Sequence, residues 1–277
     1  MRKSILFALC LATATATFAQ QQQIRSPRPS PSTTITQTVG ITDVTVKYSR
    51  PGVKGRAIWG ALVPYDKVWR TGANEATIIT FSDDVSIEGQ KLPKGTYSLH
   101  TVPGQSQWAV IFNKVANQWG SYSYDPAQDA VRVNVTPMPA PHAEWLTIDF
   151  PELTTDTAKM RIHWEKVAVP VTINTDTTAR TLAQFRNAMK PDWRTAYMAA
   201  DFAFENNAAT PAEINQWLDQ SLAVNQNIAN LWLKARMQRK AGNLAAARAT
   251  AQQAVAAATD QQKDFANEIN RQVGEWK

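Results

Sequence analysis

The sequence holds a single cysteine, Cys10, in 277 residues. That excludes a disulfide scaffold and a thiolate-caged metal centre. Glycine and proline are modest, at 11 and 15 residues, which excludes a collagenous or low-complexity polymer. Histidine is scarcer still. His100, His142 and His163 are the whole complement, no two are spaced as a local metal pair, and HExxH is absent. There is also no GxSxG elbow, no GxGxxG turn and no phosphate-loop lysine motif, so no cofactor is expected. Beyond the first residues, no run approaches the roughly 18 consecutive apolar residues of a membrane-spanning helix, and no membrane span is expected.

What is present is a chain 44% hydrophobic and 19% charged, enough to bury a core and too apolar for disorder. Residues 1–19 pair the basic start Met1-Arg2-Lys3 with an apolar run from Ile5 to Leu11 and small residues up to Ala19. This reads as a secretory signal peptide cleaved before Gln20, which sends a soluble protein to the periplasm or the exterior. Phe7, Ala8 and Leu9 ahead of Cys10 do not fit a lipidation signal. Removing Arg2 and Lys3 from the 29 basic residues leaves 27 against 23 acidic ones, a net +4. Residues 24–70 carry eight basic side chains against Asp43 and Asp66. A solvated charged face explains that excess, and nucleic acid is not expected as a partner of an exported chain.

Residues 20–32, QQQIRSPRPSPST, have the composition of a flexible linker. From 33 to 173 short segments alternate apolar and polar residues, among them TITQTV, DVTVKYS, TIITFS, TYSLHTV, WAVIFNK, AVRVNV, WLTIDF, KMRIHW and AVPVTI. Such strands without intervening helices predict an antiparallel β-sandwich or partly closed barrel. TYSLHTV-PGQSQ-WAVIFNK reads as a hairpin. Residues 174–277 turn alanine-rich with a 3.6-residue period, which predicts helices near 176–189, 192–206, 211–224, 228–240, 243–258 and 260–275. Pro191 and Pro211 suit helix starts, and Thr210 is a natural cap. Ala235, Gly242, Ala247 and Ala254 resemble the small-residue framework of a tetratricopeptide repeat, with an earlier degenerate copy at Ala200, Asn207 and Ala212. The fold class expected is therefore α+β in two domains, with helical hairpins following the β domain.

Residues 48–81 read YSRPGVKGRAIWGALVPYDKVWRTGANEATIITF, followed later by KLPKGTYSLHTVPGQSQWAVIFNK. This block resembles the signature of an uncharacterised family of exported bacterial proteins known as a domain of unknown function. The resemblance covers about residues 33–172 and implies export, a β domain and often a helical tail; it brings no activity and no catalytic residue. Read from its residues, the block is long for a connection, and long ordered loops are often functional. In a binding reading, Trp59, Tyr65 and Trp69 supply flat apolar faces. Arg50, Arg56 and Arg70 supply forked donors to a carboxylate, phosphate or sulfate, and Asn74 and Glu75 fix hydroxyls or amides. In an architectural reading the same residues staple the loop, with Arg70 paired to Glu75 and the tryptophans plugging the sandwich. Trp108, Trp145 and Trp164 lie in strand segments and are expected in the core, whereas Trp119, Tyr122 and Tyr124 lie in a loop-like stretch.

Three functions stand open at this point. One is a non-enzymatic binding module, with a small anionic or glycan-like ligand on the β domain and a protein partner on residues 174–277. A second is a hydrolase using Glu75 or a histidine as acid/base. A third is a structural scaffold acting through its helical tail.

Overall fold

A computed structural model describes residues 26–188 and 192–277. Residues 1–19, which read as a signal peptide, lie outside the described residues with Cys10 and Pro191.

Ten strands run from 32 to 174: β1 (Ser32–Val39), β2 (Thr42–Ser49), β3 (Thr77–Phe81), β4 (Val85–Ile87), β5 (Gln90–Leu92), β6 (Gly95–Val102), β7 (Trp108–Asn113), β8 (Asp129–Val135), β9 (Met138–Leu153) and β10 (Thr157–Asn174). They form two antiparallel sheets, ordered β1-β2-β3-β6-β7-β8 and β5-β4-β10-β9. Alternation dictates which face of each strand is hidden. Val44, Val46, Ile79, Phe81, Leu99, Val110 and Val133 of the larger sheet share one buried cluster with Ile87, Leu146, Ile148, Met160, Ile162 and Val171 of the smaller. The TYSLHTV and WAVIFNK segments pair as the expected hairpin, with Val102 opposite Ala109.

Two departures from the sequence reading have clear causes. KMRIHW and AVPVTI are one strand, because β10 carries a bulge at Glu165, whose φ is +56°. Its buried positions switch phase there, from Ala158, Met160, Ile162 and Trp164 to Val169, Val171 and Ile173. The proline-rich stretch 138–142, which shows none of the alternation of AVRVNV before it or WLTIDF after it, is also strand, the start of β9. As an edge strand, β9 tolerates Pro139 and Pro141. Trp145 on this strand is 39% exposed rather than in the core, because its neighbour Leu146 takes the inward position.

Six helices follow: α1 (Thr177–Ala188), α2 (Trp193–Asn206), α3 (Pro211–Val224), α4 (Ile228–Lys240), α5 (Leu244–Ala256) and α6 (Lys263–Gly274). Thr210 Oγ1 caps α3 through the Glu213 amide, with Pro211 at the first helical position. Asn207 after α2 and Gly242 after α4 both adopt left-handed φ, +48° and +82°, and each opens a turn into the next helix. Ala200, Ala235, Ala247 and Ala254 are fully buried, as close helix pairing requires, while Ala212 faces solvent.

Candidate functional site

The segment between β2 and β3 folds back on the sandwich through isolated bridges. Gly52 pairs with Trp145, Trp69 with Thr101, and Glu75 with Trp119. Trp69 exchanges both backbone hydrogen bonds with Thr101, at 2.7 and 2.9 Å. This pairing extends the neighbourhood of β3 along β6 and turns Trp69 inward. Its ring stacks on Trp164 with centroids 5.8 Å apart, and Trp59 meets Trp69, Trp108 and Trp164 edge-on at 4.9–5.8 Å. Four indoles thus seal one region of the core, in the edge-to-face and stacked geometries that ring quadrupoles favour. Tyr65 lies over Gly60, whose φ of +80° and missing side chain make room for the ring.

The three arginines of the block differ in what they face. Arg50 donates from Nε to the Leu146 carbonyl and from Nη2 to Thr147 Oγ1, both at 2.8 Å, tying the end of β2 to β9. Arg56 donates to the carbonyls of Val53 and Gly52 within its own turn. Arg70 has no carboxylate partner among the described residues, and its buried Nε lacks an acceptor. Partial burial lowers its pKa. Asn74, at φ +60°, donates to the Ser30 carbonyl and Ser49 Oγ. Glu75 pairs with Arg28, which donates to both its carboxylate oxygens at 2.8 Å. The Arg28 hydrogen bonds hold Glu75 below its usual carboxylate range. The architectural pairing of Glu75 with Arg70 is therefore replaced by one with the N-terminal segment.

The loop 114–128 covers the outer face of the larger sheet next to this block. The Ala76 amide donates to Gln118 and the Gly120 amide to Asn74, making a short ribbon. Ser98 Oγ donates to the Val115 carbonyl, and Asn113 Nδ2 to Asp129 Oδ1 and the Asp125 carbonyl. Beneath the loop, His100 is fully buried, its Nδ1 3.3 Å from Ser121 Oγ and its ring beside Tyr124. Burial pushes the imidazole down to about 4. Burial and the hydrogen bond to Asp129 push the Tyr124 hydroxyl up to about 12. His142 lies beside Glu144 and His163 contacts the Pro141 carbonyl, so the histidines do not converge.

On one side of the ribbon lies a groove of about 530 Å³. Trp119, 58% exposed, forms one wall. Arg28, Lys47 and Glu75 supply charge, and Ser32, Ser49, Asn117 and Gln118 supply neutral hydrogen-bonding groups. Of the eight residues singled out in the sequence, Glu75 alone lines it. Trp59 and Trp69 belong to the core, and Arg50, Arg56 and Asn74 hold backbone together. Sequence reasoning missed Arg28, Lys47 and Gln118, which come from three separate segments. Trp119 carried the one legible signal, an aromatic residue in a stretch without strand alternation.

A second groove, about 610 Å³, lies between α2, α3 and α4. Phe204, Ile214, Leu218 and Met237 form its apolar lining, beside Lys234 and Lys240.

The family model described as "Protein of unknown function (DUF2911)" matches residues 30–173. The chain belongs to that family. The DUF2911 match takes in all but the last residue of β10 and stops short of the helices, so the strands and every lining residue of the Trp119 groove except Arg28 fall within it. Arg28 lies two residues ahead of the match. No curated protein and no solved structure matches the chain.

Proposed function

We propose that this DUF2911 protein is an exported binding module rather than an enzyme. Its β domain holds a small anionic or glycan-like ligand, and its helical tail docks a protein. The N-terminal pattern of basic, apolar and small residues supports export, and among the described residues no helix is long and apolar enough to cross a membrane.

The Trp119 groove carries the reading. Its volume suits a small ligand, since such sites commonly fall between about 300 and 1,000 Å³. An exposed indole offers a flat apolar face to a sugar ring. The adjacent Ser49, Asn117 and Gln118 offer the donors and acceptors that hydroxyls need. In the helical domain, the apolar lining of the α2–α4 groove supports a protein partner.

Electrostatics disfavour two candidates of the hydrolase alternative, Glu75 and His100. A general acid or base works best with a pKa near the working pH. Arg28 keeps Glu75 ionised, and burial keeps His100 neutral down to about pH 4.

Thermal unfolding against a panel of neutral and acidic oligosaccharides tests the proposal. A ligand at a hundred times its dissociation constant adds about 2.7 kcal/mol of stability. We expect such a shift in the native protein and its loss in Trp119→Ala. A panel that shifts nothing, or a shift retained in Trp119→Ala, overturns the groove assignment.

A further inference from the structure

We infer that Arg70 is the anchor of an oxyanion site, separate from the Trp119 groove, that takes the carboxylate, sulfate or phosphate group of a small molecule. Most arginines of this fold have a partner. Arg28, Arg132, Arg161, Arg180, Arg186, Arg236 and Arg271 each face a carboxylate. Arg50, Arg56 and Arg248 donate to carbonyls. Arg194 and Arg239 lie over indole rings. Among the described residues, Arg70 alone has none of these, although it is half-buried.

Leaving a half-buried guanidinium without a carboxylate or carbonyl is unfavourable, because its buried Nε has lost water without gaining an acceptor. The side chain springs from a rigid backbone, with Trp69 locked to Thr101 on one side and the Arg70 carbonyl accepting from the Thr77 amide on the other. Since Trp69 and Thr101 turn towards the core, alternation turns their neighbours Arg70 and His100 to the outer side of the sheet. His100 Nε2 is likewise buried without a partner.

The surroundings leave the guanidinium approachable. A side chain on Gly120 would come 3.9 Å from Arg70 Nη1 and closer still to the Tyr122 ring; Gly120, at φ +63°, supplies none. Tyr122 itself is 87% exposed. An oxyanion entering beside Tyr122 would meet the Nη groups and pair the guanidinium charge, which has no carboxylate among the described residues. Neither Arg70 nor Gly120 lines the Trp119 groove, whose walls are formed by Glu75, Ala76 and Asn117–Trp119 with residues of β1–β3 and Arg28. The site therefore stands or falls independently of the ligand in the groove.

Sodium sulfate, sodium phosphate and sodium galacturonate, each against sodium chloride at matched ionic strength, are the probes. The side-chain Nε–H resonance of Arg70, assigned by its loss in Arg70→Met, should move and saturate with at least one of the three. The anion that moves it identifies the preferred group. Arg70→Lys should weaken the response about tenfold, since an ammonium cannot reproduce the forked contact. Arg70→Met should be at least as stable as the native protein without anion, and Trp119→Ala should leave the response intact. A resonance that none of the three anions moves overturns the site. So does a large loss of stability in Arg70→Met, failure to fold included, which would make Arg70 an architectural residue.

Discussion

Ser121 Oγ lies 3.3 Å from His100 Nδ1, beneath a loop that hides the imidazole completely from solvent. The burial has a consequence for stability against pH. In the folded chain the imidazole stays neutral down to about pH 4, whereas in the unfolded chain it protonates near 6.5. Between those values the unfolded state binds a proton that the native state refuses. The contribution is thus fully present above pH 6.5 and is lost as pH falls towards 4. It amounts to at most about 3 kcal/mol. Urea unfolding at pH 7.5 and 4.5 should show this loss, and His100→Asn should flatten it. An identical pH slope in that variant would assign the loss to other groups.

The indole cluster predicts a second effect. Trp164 is 1% exposed, stacks on Trp69, meets Trp59 edge-on and donates from Nε1 to the Glu144 carbonyl. Trp164→Ala should cost about 3–5 kcal/mol, from lost burial and the cavity left between the sheets. Trp145→Ala, one strand away and partly exposed, should cost far less. Denaturant midpoints at constant slope measure both. Equal costs would contradict the inward and outward assignments on β9 and β10.

These cases show which parts of the molecule could be read from the chain. Period and punctuation are local, so the helices, the hairpin turns and most strands follow from their own residues; Thr210, Pro211 and Gly242 mark boundaries almost to the residue. The β10 bulge at Glu165 is not legible in the chain, because a one-residue phase change in alternation looks the same as a strand end. Prolines at 139 and 141 point away from a strand unless it is known to lie at an edge, which sheet order alone decides. The groove was least legible. Arg28, Lys47, Glu75 and Trp119 meet only after β1, β2 and β3 pair and the 114–128 loop crosses their outer face. Aromatic and arginine density near 50–75 marked a structurally dense segment, and much of that density is spent on the core.

The junction between the β domain and α1 is tight at Gly40. This residue turns between β1 and β2 at φ +61°, and a methyl group there would overlap the Thr177 side chain at the start of α1. Gly40→Ala should therefore lose the roughly 1–2 kcal/mol of a left-handed alanine and a further amount for displacing Thr177. Gly89→Ala is the control, since Gly89 has φ +83° but open space around it. Thermal unfolding should rank Gly40→Ala clearly below Gly89→Ala. Equal shifts would mean that the contact with Thr177 yields without cost.

In the helical domain, Asn230 is fully buried, and both its side-chain nitrogen and its side-chain oxygen are hydrogen-bonded. Its Nδ2 donates to Ser221 Oγ at 3.0 Å and to the Asn225 carbonyl at 2.7 Å, while its Oδ1 accepts from the Asn227 amide at 2.9 Å. Ser221 in turn donates to the Trp193 carbonyl, so one amide links the start of α2, the end of α3 and the capping turn of α4. Asn230→Ala strands those partners in a dry interior, at a cost of about 1–3 kcal/mol for each group left unsatisfied. Asn230→Asp tests the donor side separately. It keeps the acceptor for Asn227 but turns an oxygen towards the Asn225 carbonyl, a repulsion made worse by charge. That variant should be less stable than Asn230→Ala near neutral pH and should recover as acid protonates the new carboxyl, which can again donate to Asn225. Chemical unfolding across that range measures the recovery. An Asn230→Asp protein with native stability at neutral pH would show that the Asn225 contact contributes nothing to the fold.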